Sequence, residues 1–195
     1  MKINKKILVY KILLIILVII AVVMASIIIH KQYNDRVYDK ENKEIVDLFH
    51  QQEENNKGVI QLEYRGYNVV GLIKIPEINI EYPILKETTM AAMDTSIIKF
   101  SGGEINGFGN VTLAGHNNYS GTMFSKNKNL NKGDKVLLTD LSGNTVEYEI
   151  YDKFITDPND VSILETKDET IREVTLITCK NGRSNRLIIK AKEII

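Results

Sequence analysis

The chain has very few of the residues on which several kinds of site depend. Its 195 residues include one cysteine and three histidines. A single cysteine excludes an internal disulfide and any zinc site built from several thiolates. The 25 basic residues are balanced by 25 acidic ones, so the totals imply no basic face of the kind that binds nucleic acid. We therefore expect no nucleic-acid partner.

Charge is absent from one long stretch near the N-terminus. Residues 12–29 read ILLIILVIIAVVMASIII, with Ser26 as the only polar member. These 18 residues would span about 27 Å as a helix, close to the hydrocarbon thickness of a bilayer. Four lysines and no acidic residue precede them, which predicts a single-pass anchor with residues 1–11 in the cytoplasm and the rest outside. The alternative is a cleaved signal peptide, but the apolar run is longer than a usual signal core.

Residues 30–65 change sharply in composition, because charged and amide side chains dominate. Apolar residues recur there at roughly helical spacing: Val37, Ile45, Leu48 and Phe49. This pattern predicts an extracellular helical stalk with a solvated charged face, and Gly58 is a plausible stop signal.

Residues 66–195 consist of short apolar runs separated by Pro, Gly and Asn. The runs predict strands over residues 71–78, 78–85, 110–114, 135–139, 145–155, 173–178 and 186–191. A helical turn is expected over residues 88–94, and a long acidic loop over 157–173. Seven or eight short strands at this spacing predict a small β-barrel or sandwich.

Three residues in this region could carry out chemistry together. His116 follows the apolar run NVTLA through one glycine, Cys179 ends another apolar run, and Arg186 opens the last one. A thiolate is a nucleophile, a nearby histidine can hold and later donate a proton, and a guanidinium can stabilise an oxyanion. These residue types fit acyl transfer through a thioester. Their positions in the sequence leave open whether the three converge.

Several motifs resemble the sortase family of cysteine transpeptidases. They are TLITC ending at Cys179, the arginine that opens the next strand, and LAGH ending at His116. The stretches GLIKIPEINIEYPIL and NNYSGTMF are also similar to sortase patterns. The resemblance covers residues 71–191 and implies a mostly β fold: a closed eight-stranded barrel with short helices, preceded by the N-terminal transmembrane helix.

The resemblance also implies roles for individual residues. Cys179 matches the nucleophile, His116 the family histidine and Arg186 the family arginine; Arg183 is a rival for the last role. Thr178 and Ala114 are implied to line the substrate groove.

The implied reaction cuts an LPxTG-type sorting signal between Thr and Gly and transfers the surface protein to an amine. That amine belongs to a cell-wall precursor or a pilin. His116 and Cys179 are too close in sequence for the helical insertion of class B enzymes, which favours a class A-like or class D-like member.

No cofactor is expected. Some class A sortases bind calcium, but Glu104 is the only acidic residue in the loop before the His116 strand. Five carboxylates in the later loop could bind a hard cation, although a solvated loop is the simpler interpretation. They are Asp157, Asp160, Glu165, Asp168 and Glu169.

Two other functions fit the same residues. One is a secreted cysteine hydrolase of another fold, which would pass the acyl group to water. The other is a non-catalytic, membrane-anchored β-domain that binds a surface protein and buries Cys179 as a core residue. Thiol reactivity separates the second from an enzyme, because a buried structural cysteine resists alkylation.

Overall fold

A computed structural model describes residues 5–55, 60–180, 182 and 184–194. Within these residues the helices are α1 Lys5–Asn55 and α2 Met90–Thr95. The strands are β1 Glu63–Tyr64, β2 Tyr67–Ile75, β3 Ile80–Leu85, β4 Ile97–Ser101, β5 Gly109–Ala114, β6 Lys135–Asp140, β7 Thr145–Thr156, β8 Arg172–Lys180 and β9 Asn185–Glu193. Short 3-10 helices cover Pro76–Ile78, Phe124–Asn129 and Ser162–Leu164.

Strands β2 to β9 form a closed barrel. Their order is β2-β3-β4-β5-β8-β9-β7-β6, and β6 pairs back onto β2. The pairs β3–β4 and β5–β8 are parallel, and the remaining pairs are antiparallel. Closure leaves no exposed sheet edge in the barrel. The predicted eight-stranded barrel is confirmed.

The apolar residues form two clusters. The first fills the barrel, where alternate residues of each strand point inward, as Val174 and Leu176 of β8 do. The second lies between the outer face of the barrel and α1, where Phe49 of the helix is completely buried. Burial of a side chain of this size contributes about 1.5–3 kcal/mol. Helix α1 is therefore packed against the barrel along its C-terminal half.

Some predicted boundaries are wrong. The strand predicted over residues 71–78 ends at Ile75, because Pro76 has no N–H for the ladder and begins a 3-10 helix. The predicted turn over 88–94 is helix α2, and the Thr89 side chain accepts a hydrogen bond from the Ala92 amide at its N-terminus. Strands β1 and β4 were not predicted.

Helix α1 passes without a break through the predicted boundary between residues 29 and 30. The predicted stop signal Gly58 lies outside the described residues. The division into the four segments 1–11, 12–29, 30–65 and 66–195 stays a prediction.

Polar contacts also hold α1 on the barrel. Asn42 is fully buried and donates a hydrogen bond to the Thr95 carbonyl, 2.9 Å away. Arg65 donates two hydrogen bonds, of 2.6 and 2.8 Å, to the Glu41 carboxylate. This bidentate geometry is the strongest that an arginine makes with a carboxylate. These contacts fix the rotation of α1 about its own axis and its position along that axis relative to the barrel.

A histidine on α1 makes part of this contact sensitive to pH. His50 lies 2.9 Å from a carboxylate oxygen of Glu81 on β3 and 3.1 Å from one of Glu53. Burial lowers the pKa of His50, but the hydrogen bonds and charges of the two glutamates outweigh it and raise the pKa above its ordinary value of 6.5.

We expect helix docking to be strongest below about pH 6.5 and to weaken as the pH rises through the raised pKa of His50. The reason is that the folded state binds the proton more tightly than the unfolded state does. Protection factors of the α1 amides between Asn42 and Asn55, which are exchange rates corrected for the intrinsic rate at each pH, measure this at pH 5.5 and 8. His50→Gln should remove the difference; a difference that survives in His50→Gln would contradict the assignment.

Candidate active site

Two parallel neighbouring strands bring His116 alongside Cys179. Strands β5 and β8 run in the same direction, with Ala114 opposite Ile177. The contact continues beyond β5, because the Gly115 amide donates to the Ile177 carbonyl at 3.2 Å. The Asn117 side chain then donates to the Cys179 carbonyl at 3.0 Å. The residues on either side of His116 are thus hydrogen-bonded to the last residues of β8, the strand that carries Cys179.

An antiparallel pair places Arg186 next to the same cysteine. Cys179 of β8 and Arg186 of β9 are directly opposite each other, so their side chains leave the sheet on the same face. Both residues are half-buried, and the Arg186 guanidinium donates to the Asn185 carbonyl at 3.3 Å. The backbone positions of Cys179, His116 and Arg186 therefore lie next to one another at one end of the barrel. Their catalytic roles stay predictions.

An aspartate that the sequence did not point to contacts the histidine. Nε2 of His116 lies 2.8 Å from Oδ1 of Asp94 at the end of α2. Since a carboxylate oxygen can only accept, Nε2 is the protonated nitrogen here and Nδ1 is left for other partners. The His116 side chain is 17% exposed and that of Asp94 is 62% exposed. Asp94 can orient the ring but remains largely hydrated.

The two predicted groove residues, Thr178 and Ala114, are buried. The Thr178 hydroxyl donates to the Gly115 carbonyl at 2.8 Å, which ties the nucleophile strand to the residue before His116. Ala114 packs in the cluster beneath α1. These contacts support a role in positioning His116 and Cys179, and contact of either residue with substrate stays a prediction.

Gly115 is required by packing. A Cβ atom at this position would lie 2.9 Å from the Phe124 ring and 3.3 Å from an Ile97 side-chain carbon. Both neighbours are fully buried, so neither can move away freely. Glycine thus allows the backbone before His116 to approach the barrel core.

Gly115→Ala is expected to lower the free energy of unfolding by about 1–3 kcal/mol, the usual cost of overpacking a core. Denaturant unfolding followed by circular dichroism measures it. Gly103→Ala is the matched control, because a Cβ there meets nothing within 4 Å. Equal stability of the two variants would show that the loop relaxes around the added methyl group.

Three of the five carboxylates of the long loop accept hydrogen bonds within the loop itself. Asp157, Asp160 and Asp168 each accept a hydrogen bond from the backbone amide two residues further on. The hydrogen bonds from Ser162 and Thr156 lower the pKa of Asp160, and those from Thr170 lower the pKa of Asp168. Among the described residues, no three His, Cys, Asp or Glu side chains converge as a metal site. The expectation that no cofactor is needed stays a prediction.

The fold and this site define a class of protein. A closed β-barrel with one cysteine at a strand end, beside a histidine and opposite an arginine, is the architecture of a thiol-dependent enzyme. The model of the sortase domain matches residues 73–194, more than half of the chain. The chain belongs to the sortase family, and it is accordingly a cysteine transpeptidase.

Individual relatives agree with this assignment. The chain is 32% identical to sortase A of Bacillus anthracis over 149 residues, which cover 76% of this chain and 70% of that protein. It is 32% identical to sortase D of Bacillus subtilis over 110 residues, 56% of this chain and 53% of the relative. The chain thus spans about half the length of the second relative. These relatives are a sortase A and a sortase D, and the sequence favoured a class A-like or a class D-like member. The choice between the two classes stays a prediction.

Solved structures share the fold. The structure of a Clostridium perfringens sortase D5 transpeptidase has a TM-score of 0.62 and 24% identity, covering 84% of this chain and 99% of that one. Sortase A of Listeria monocytogenes has a TM-score of 0.59 and 30% identity, covering 65% and 88%. The fold excludes a cysteine hydrolase of another fold, and membership of the sortase family favours an enzyme over a non-catalytic β-domain.

Proposed function

We propose that this chain is a membrane-anchored sortase that cuts an LPxTG-type sorting signal between Thr and Gly. The observation that supports the proposal is the placement of Cys179, His116 and Arg186 on neighbouring strand ends at one end of the barrel. The partners are surface proteins with such a signal at the C-terminus, and the acceptor is an amine of a cell-wall precursor or a pilin.

The proposed reaction has two acyl transfers. The Cys179 sulfur attacks the threonine carbonyl carbon as the thiolate, its proton being held by His116, and Arg186 stabilises the oxyanion that forms. The carbon–nitrogen bond then breaks, and the departing glycine amine takes a proton from His116. In the second transfer His116 accepts a proton from the incoming amine, which attacks the thioester and releases Cys179. Each step leaves the enzyme ready for the next without a metal or cofactor.

Anchoring is supported by the first half of α1. Among the described residues one helix is long and apolar enough to cross a membrane, and its most apolar window has a mean hydropathy of 3.6 with no part buried. The lack of burial distinguishes it from the core helix of a soluble domain. The lysines before it support an N-terminus in the cytoplasm and a barrel outside the cell.

The test uses the full chain in detergent with LPxTG-like or NPxTN-like peptides and hydroxylamine, followed by mass spectrometry. Because the chain has one cysteine, protein alkylated with iodoacetamide is a specific control. A peptide hydroxamate that alkylation abolishes supports thioester transfer and identifies the signal. Free carboxylate alone, or no product from folded protein, would contradict the proposal.

Arg186→Lys is expected to lower kcat/KM by about 10²-fold, the scale of losing one oxyanion donor. Lysine keeps the positive charge but loses the planar two-donor fork. Arg183→Ala is the control. Arg183 lies outside the described residues, so only kinetics can compare the two. A larger loss in Arg183→Ala would reverse the assignment of the family arginine.

A further inference from the structure

A loop next to the site is tied to the helix that carries the anchor. The loop follows His116, and backbone pairing between Asn117 and Met123 closes its base. At its tip the Ser120 hydroxyl donates to Oδ2 of Asp35 on α1 at 3.0 Å. Its neighbour Tyr119 is fully exposed. A large aromatic ring is thus held in solvent beside the helix.

The point of attachment is close to the predicted membrane. Asp35 lies six residues beyond Ile29, the last residue of the apolar run, which is about 9 Å along an α-helix. The polar layer on each side of a bilayer is about 5–8 Å thick. The loop tip therefore lies at the outer boundary of the headgroup layer.

The contacts along α1 give the orientation of the barrel. Asp35 contacts the loop after His116, Asn42 contacts α2, and Glu53, much further from the span, lies beside Gly143 in the β6–β7 turn. That turn leads into the first residue of β7, and the last residue of β7 pairs with Arg186. The end of the barrel with the site is consequently the end nearer the membrane.

The side chains around the loop include cations that suit a lipid surface. Lys31 and Arg36 are exposed on α1, and exposed Lys126 lines a 530 Å³ cavity together with the loop residues from Ser120 to Thr122. Asp39, Asp47 and Glu81 line the same cavity, so the cavity carries both signs of charge, and the exposed cations of α1 lie nearer the span. The nearby carboxylate of Asp35 accepts the hydrogen bond from Ser120. Tyrosine is enriched where membrane meets water, and lysine and arginine are attracted to anionic headgroups.

We propose that the loop from Asn117 to Met123, with Tyr119 at its tip, contacts the headgroups of the bilayer that residues 12–29 span. This contact holds the Cys179 end of the barrel, which is the end that the reacting peptide approaches, at the lipid surface. The inference rests on the membrane anchoring of the proposed function and is independent of the acyl-transfer chemistry.

The test uses the full chain in vesicles of phosphatidylcholine and phosphatidylglycerol. The chain has no tryptophan, so Tyr119→Trp introduces a single fluorescent reporter. Quenching by lipids that carry a nitroxide on the headgroup reports contact with the headgroup layer. Phe108→Trp is the matched control, because Phe108 is exposed and precedes β5 at the end opposite to His116; a six-residue strand separates them by about 20 Å.

We expect the headgroup-labelled lipid to quench the reporter at position 119 at least twofold more than the one at 108. Ser120→Ala in the Tyr119→Trp background should reduce that quenching, because the attachment to Asp35 is lost. No quenching at 119, or equal quenching at both positions, would overturn the proposal. Protein that fails to float with the vesicles would overturn the proposal, because residues 12–29 would then not anchor the chain. Hydroxamate formation in detergent tests the acyl-transfer reaction separately.

Discussion

Cys179→Ala is expected to abolish formation of the acyl-enzyme while leaving peptide binding essentially unchanged. The only thiol of the chain is then gone, and no other described side chain at this end of the barrel is a nucleophile of comparable strength at neutral pH. The residue is only half-buried, so removal of its sulfur should disturb packing little.

The measurements are hydroxamate formation, peptide affinity and the midpoint of thermal unfolding on the same preparation. Cys179→Ser is the matched variant, because it keeps the shape but substitutes a hydroxyl that is hardly ionised at neutral pH. A structural cysteine would give the opposite result, with lower stability and activity lost only in proportion to the unfolded fraction. That result would contradict the assignment of the nucleophile.

The barrel could be predicted because most of its strands are local apolar runs with clear turn signals. Strands β5, β6 and β7 begin and end within one residue of their predicted positions. Strand β4 was missed, because its sequence IIKFS begins with only two consecutive apolar residues before Lys99. Its stability comes from the sheet rather than from its own sequence.

The three site residues could be found because each stands where an apolar run begins or ends, in motifs that resemble a known family. Asp94 and Asn117 could not be found in this way. Their contacts with His116 and Cys179 join residues that are 22 and 62 positions apart, and only the closed barrel brings them together. The packing of α1 was equally hidden, since nothing in a polar helix marks Asn42 as fully buried.

His116→Ala is expected to lower kcat/KM by about 10²–10⁴-fold, the range for removal of a general acid–base group. No other described histidine can replace it, because His30 and His50 lie on α1 and His50 is held by Glu53 and Glu81. Transfer to a series of amines at saturating peptide measures the second step separately, and the loss should appear in both steps.

Asp94→Asn separates orientation of the ring from proton transfer. The amide oxygen can still accept from Nε2 of His116, so the ring should keep its position while the negative charge is lost. Because Asp94 is 62% exposed, water screens that charge, and we expect a loss well below that of His116→Ala, confined to kcat. Asp94→Ala, which also removes the acceptor, should be worse than Asp94→Asn. If His116→Ala kept wild-type rates with every amine, the proton would have to move through another group, and Asp94 would then have only a structural role in α2.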